Sequence, residues 1–201
     1  MMPAFDGSSI DGSAYTQVVD LAHGSPGWLD GLVSTWSAYG LAVFALLMVI
    51  GWWQARSLGA AVAVRALAAP VIVVLAYGVN DALKAVVRED RPCRSLHVIT
   101  LEACPAPGDW SFPSNHAAIA AACAVTLLFV SRRLGVVAVV AACAMAASRV
   151  WVGAHYPHDV AGGAAAGALV ALLAMAALHR APDTALQRIT ATRLRPLLLA
   201  P

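Results

Sequence analysis

Charge is scarce in this chain. Only 12% of its 201 residues are Asp, Glu, Lys or Arg, against about 25% in an ordinary soluble domain. Basic runs, aromatic residues interleaved with basic ones and long polar linkers are all missing, which argues against nucleic-acid binding. Residues 1–31 contain no Lys or Arg, so the positively charged start of a secretory leader is lacking. No internal repeat or low-complexity linker stands out beyond a bias toward alanine. What fills the chain instead is apolar: 60% of residues are hydrophobic and the mean hydropathy is +0.73. One core cannot absorb that surplus, so much of it faces lipid.

The hydrophobic runs predict an all-α fold, a polytopic membrane helix bundle of five to six spans. Five spans are expected at 32–53, 58–87, 115–130, 134–152 and 160–178. Residues 12–24 read as a short amphipathic helix at the surface, with partial insertion as a sixth helix the alternative. The division that follows is an extracytoplasmic segment at 1–31, a transmembrane domain at 32–179 and a cytoplasmic tail at 180–201.

Threading five spans places Asp6, Asp11, Asp20, Asp30, Glu89, Asp90, Glu102 and Asp109 on one side. Arg56, Arg132, Arg133, Arg180, Arg188, Arg193 and Arg195 fall on the other, which the positive-inside rule makes cytoplasmic. Cys93 and Cys104 then share an outward loop in a compartment that permits a disulfide. With His97 they also form a C-x3-H-x6-C pattern, a sparse spacing for zinc, and the disulfide is the favoured reading. Cys123 and Cys143 fall in spans as small packing residues.

Three short segments at the outward ends of the spans carry chemistry. In KAVVREDRP, Lys84 and Arg91 are seven residues apart, which on a continuous helix means two turns and one face, with Arg88 between them and Pro92 as the stop. An ionisable residue such as Lys84 at a bilayer edge usually has a task; Asp81, one turn earlier, is a possible partner. In PSNH, Ser114 reads as a helix N-cap. A helix start offers unpaired N–H groups to a phosphate, with His116 one turn inside. In SRVWVGAHYPHD, Arg149 ends a span, His155 follows in a turn, and Pro157 opens the next helix with Asp159 in its first turn. A hydrogen bond from one ring nitrogen of His155 to Asp159 would leave the other free as a nucleophile.

The order K-x6-R-P, P-S-x-H, S-R-x5-H-x3-D resembles the type 2 phosphatidate phosphatase superfamily over Lys84 to Asp159. The resemblance implies a metal-independent lipid phosphatase without a cofactor. It implies that His155 attacks phosphorus to form a phosphohistidine, oriented by Asp159, and that His116 protonates the leaving oxygen. Lys84, Arg91, Ser114 and Arg149 would bind the phosphate, with Asn115 beside them. Asn115 stands where the family usually has glycine, and Asn tolerates unusual backbone angles. A polar residue there is similar to the bacitracin-resistance undecaprenyl pyrophosphate phosphatases, which often carry P-S-D-H. The expected partners are membrane lipids and a polyprenyl or glycerolipid phosphate substrate.

The leading expectation is hydrolysis of undecaprenyl pyrophosphate to undecaprenyl phosphate at the outer face of the cytoplasmic membrane. Phosphatidylglycerol phosphate, phosphatidate and other polyprenyl phosphates are the alternatives within the class. Vanadium haloperoxidases share the anion-binding residues, but the short, membrane-embedded chain argues against one. A non-catalytic lipid-binding or transport protein would be expected to lose some of these positions, and all are present. Gly163 and Gly167 form a small-xxx-small pattern suited to close packing within the bundle; the motifs leave oligomeric state open.

Overall fold

The computed structural model describes residues 5–181, and its regular structure is helical. The expected tail residues Arg188, Arg193 and Arg195 lie outside the described residues. The helices are α1 (Ser8–His23), α2 (Gly27–Tyr39), α3 (Leu41–Ala55), α4 (Ala60–Val87), α5 (Pro92–Ser95), α6 (Asn115–Val130), α7 (Arg132–Trp151) and α8 (Pro157–His179). Helix α6 is the centre, packed by α3, α4, α7 and α8. Its buried face is mostly alanine, with Ala117, Ala118, Ala120, Ala122 and Ala124 almost wholly covered. Small side chains let its neighbours approach closely. Gly163 and Gly167 of α8 rest on the backbone of Ser114 and Ala118, where a Cβ would overlap both carbonyls. The small-residue pair therefore serves packing between α8 and α6, and it brings the start of α8 beside the start of α6.

Helices α4, α7 and α8 are long and apolar enough to cross a bilayer, and α2 with α3 makes a fourth crossing if counted as one bent span. The run expected at 32–53 as one helix is broken, with a 54° bend between α2 and α3. Gly40 stands at the break, where a Cβ would overlap the Trp36 carbonyl and lie 2.8 Å from the Met145 methyl. At 16 residues, α6 rises only about 24 Å, short of a hydrocarbon core of about 30 Å. Length and composition by themselves show three to four crossings among the described residues, and the five to six expected are not shown by them. Val71, Val74, Val86, Val137, Val140 and Leu173 point away from the bundle, as lipid-facing residues should.

Helix α1 covers the region expected to be a surface helix and buries Tyr15, Val19 and Ala22 against α7 and α8. The Tyr15 hydroxyl donates to the Gly153 carbonyl at 2.9 Å.

Candidate active site

Four backbone and side-chain links draw the three motif segments to one end of the bundle. Ser114 N–H donates to the Asp159 carbonyl at 3.0 Å, and Ser111 N–H to the Glu89 carbonyl at 2.7 Å. Asn80 Nδ2 donates to the Pro113 carbonyl at 3.2 Å. Arg91 Nη1 donates to the Ala154 carbonyl at 2.9 Å.

The first segment departs from the expected continuous helix. Helix α4 ends at Val87, and Arg88 takes a left-handed conformation (φ 54°). Arg91 is extended as the residue before α5. Lys84 and Arg91 therefore do not share a helix face; the turn at Arg88 swings Arg91 back over the site. Lys84 is buried, with Nζ donating to the Trp110 carbonyl at 2.8 Å. Asp81 is not its hydrogen-bond partner and instead accepts from Asn115 Nδ2 at 3.4 Å.

Arg91 fixes the state of His155. Its Nη1 lies 3.0 Å from His155 Nε2. A guanidinium can only donate, so Nε2 accepts and the ring proton sits on Nδ1. That proton faces Asp159 Oδ2 at 3.4 Å. Ser111 Oγ lies beside this contact, 2.5 Å from Asp159 Oδ2 and 3.4 Å from His155 Nδ1. Asp159 Oδ2 also accepts the Tyr156 N–H at 2.8 Å, which locks the start of α8. His155 is almost wholly buried. Burial, then the charges of Arg91, Arg149, Lys84 and His116, hold its ring neutral well below the usual histidine range. A neutral ring with its lone pair directed toward an arginine has the form a nucleophile requires.

The remaining phosphate-binding candidates converge there. Ser114 precedes α6, yet its hydroxyl caps nothing and is buried without a partner. Arg149 Nε is likewise buried and unpartnered. Buried polar atoms are nearly always paired, so these two have the character of a site awaiting a polar ligand. Arg149 Nη1 is held by Ser37 and, at 3.1 Å, by Glu102. Arg91 Nη2 pairs with Asp109 at 2.8 Å. His116 lies in the first turn of α6, within the electrostatic reach of Arg149, Glu102, Arg91 and Lys84. Asn115 differs from the other candidates: its side-chain oxygen accepts from Asn80 at 2.7 Å and its nitrogen turns to Asp81. What it can offer a phosphate is the unpaired N–H of a first helical turn.

Cys93 and Cys104 are joined by a disulfide that closes the loop bearing Glu102. Sequence reasoning missed Ser111, Glu102, Asp109 and His158. Ser111 carries a local signal, since it lies three residues before Ser114; the carboxylates reach the site from a loop without periodicity. Glu89, His158 and Asp159 offer ligand atoms within 4.8 Å of one another. The imidazole nitrogen that would bind a metal already shares a proton with Glu89 Oε1 at 2.8 Å, which suits a hydrogen bond.

A family pattern described as the PAP2 superfamily matches residues 65–183. The chain is 30% identical to undecaprenyl-diphosphatase BcrC of Bacillus subtilis over 149 residues, covering 72% of each protein. It is 31% identical to an undecaprenyl-diphosphatase of Sulfolobus acidocaldarius over 153 residues, covering 73% of this chain and 69% of the relative. A decaprenylphosphoryl-5-phosphoribose phosphatase of Mycobacterium tuberculosis is 36% identical over 126 residues, covering 60% of this chain and 68% of the relative. The crystal structure of a transmembrane PAP2-type phosphatidylglycerolphosphate phosphatase from Bacillus subtilis superposes with a TM-score of 0.56 at 18% identity, covering 90% of this chain and 88% of that one. That likeness concerns the fold.

Proposed function

The chain belongs to the PAP2 superfamily as a multi-pass membrane lipid phosphatase, and on that premise we propose that it hydrolyses undecaprenyl pyrophosphate to undecaprenyl phosphate through a phosphohistidine on His155. The observation that carries the mechanism is the orientation of His155, with Nε2 toward Arg91 and Nδ1 toward Asp159. The names of the two diphosphatase relatives favour the diphosphate among lipid substrates.

In the first step, His155 Nε2 attacks the terminal phosphorus and the bond to the bridging oxygen breaks. The ring becomes positively charged and Asp159 compensates it across Nδ1–H. Lys84, Arg91 and Arg149 surround the three equatorial oxygens, with the Ser114 hydroxyl as a further donor. His116 gives a proton to the departing oxygen. In the second step, water transfers a proton to His116 and attacks phosphorus, releasing inorganic phosphate and regenerating His155. Glu102 and Asp109 must give up Arg149 and Arg91 for phosphate to bind them fully.

An apolar groove of about 420 Å³ between α2 and α7, lined by Leu32, Val33, Trp36, Ala147 and Trp151, suits a prenyl chain. Five crossings complete the reading, with α2–α3 as the bent one and α6 as a short one enclosed by its neighbours. The acidic loops at the site end and the arginines at the other end support an extracytoplasmic active site.

The test is phosphate release in detergent from undecaprenyl pyrophosphate, undecaprenyl phosphate, phosphatidylglycerol phosphate and phosphatidate, with His155→Ala as control. Preference for the diphosphate supports the reading. Turnover of monophosphate lipids with none of the diphosphate overturns the substrate, and full activity in His155→Ala overturns the mechanism.

A further inference from the structure

The surroundings of Asp159 on the side away from the phosphate site have no role in the steps above. Asp159 is fully buried, and its Oδ1 makes no hydrogen bond. That oxygen faces His158 Nε2 at 3.6 Å. The same nitrogen lies 2.8 Å from Glu89 Oε1, and Glu89 is only 1% exposed. The other ring nitrogen, Nδ1, lies 2.7 Å from Asp11 Oδ1, while Asp11 Oδ2 accepts the His158 backbone N–H at 2.7 Å. The ring is stacked on Tyr156 and Phe112. Carboxylates only accept, so with Glu89 ionised both ring nitrogens must carry hydrogen, and His158 is then a cation among three carboxylates.

The N-terminal segment is built to close over this cluster. Phe5 pairs with the Arg88–Asp90 backbone through two hydrogen bonds of 3.1 and 2.9 Å. Gly7 lies so close that a Cβ would overlap the Glu89 carboxylate and approach the His158 ring. Asp11 sits at a non-helical kink inside α1 (φ −147°, ψ 26°), and its carboxylate spans the backbone and ring of His158. Residues 5–11 lie outside the stretch matched by the family pattern.

We propose that Asp11, His158 and Glu89 are positioning residues that support the reacting histidine from behind. Asp11 orients His158, whose charge lies between Glu89 and Asp159 and keeps Asp159 ionised as the partner of His155. The N-terminal segment thereby helps to position the reacting histidine. This inference rests on the roles given to His155 and Asp159 above. The other charged and titratable groups around Asp159 are Arg91 at the start of α5, Lys84 on α4, and His155 and Tyr156 before α8. All of them remain when His158 or Asp11 is replaced.

The experiment compares pH profiles of kcat and KM for the full chain, His158→Asn and Asp11→Asn, on the best substrate of the lipid panel. His158→Asn is expected to lower kcat near neutral pH about tenfold with KM within about twofold. Its acid limb should move to higher pH by about one unit, because Asp159 then loses the neighbouring cation that favours its ionised form. Asp11→Asn should move the limb the same way by a smaller amount. An acid limb unchanged in both variants overturns the proposal, as does activity that depends on added Zn²⁺ or Mn²⁺ and is lost with His158. If His158→Asn does not fold, Asp11→Asn decides alone. His155→Ala separates the two levels: if it stays active, the underlying mechanism fails, whereas a dead His155→Ala beside unmoved profiles sinks only this inference.

Discussion

His155 stands between two regions of opposite character. On the phosphate side are Lys84, Arg91 and Arg149, an unpartnered Ser114 hydroxyl and an unpartnered Arg149 Nε. The carboxylates that pair with those arginines are accessible: the side chains of Asp109 and Glu102 are 52% and 31% exposed. On the opposite side, Asp159 and Glu89 are 0% and 1% exposed and are enclosed by His158, Ser111 and the N-terminal segment. An accessible carboxylate on a buried arginine can be exchanged for another anion, whereas breaking an ion pair buried at both ends is costly. We therefore expect one side to change partners during turnover and the other to stay fixed.

The sharpest way to break this comparison is to vary the leaving group. In the proposed mechanism His116 protonates the departing oxygen, and an alkoxide would need that proton far more than a phosphate does. His116→Ala should slow hydrolysis of phosphatidate by about 10²–10⁴-fold, the usual range for a lost general acid, and of undecaprenyl pyrophosphate by clearly less. Single-turnover rates on both lipids check this, and equal losses would remove His116 from the proton-transfer role.

A smaller effect tests whether the phosphate side exchanges partners. Glu102→Gln frees Arg149 from a competing carboxylate, so inorganic phosphate should inhibit more strongly, by about threefold, consistent with a partly exposed pair. An unchanged or weaker inhibition constant would mean that Glu102 supports Arg149 without competing for it.

The smallest effect concerns stability behind Asp159. Burial, then the nearby Asp159, raises the Glu89 carboxyl from 4.5 to about 7, against the opposing effect of His158. A carboxyl whose folded value is raised contributes stability below its ordinary value and loses it as pH rises through about 7. Thermal unfolding should thus show the wild-type protein losing stability between pH 4.5 and about 7 relative to Glu89→Gln. Parallel curves would show that Glu89 stays ionised throughout.

Much of this was legible in the sequence. The stretch expected at 115–130 is α6, and those at 58–87 and 160–178 lie close to α4 and α8, because long apolar runs with serine and proline starts mark their own ends. The spacing of Lys84, Arg91, Ser114, His116, Arg149, His155 and Asp159 named the groups that the fold gathers. Local periodicity could not show the left-handed turn at Arg88, which replaces a continuous helix to Arg91. It could not show the break at Gly40 either, where the chain packs closely on Met145 of another helix. The Asp11–His158 pair spans 147 residues, and only tertiary packing joins it.

Trapping the intermediate tests the central claim most directly. Undecaprenyl pyrophosphate labelled in its terminal phosphate should, on rapid alkaline quench, leave label on the wild-type protein at His155, in a form stable to alkali and released by acid. His155→Ala should carry none and release no phosphate. Turnover without protein-bound label, together with activity in His155→Ala, would contradict the account.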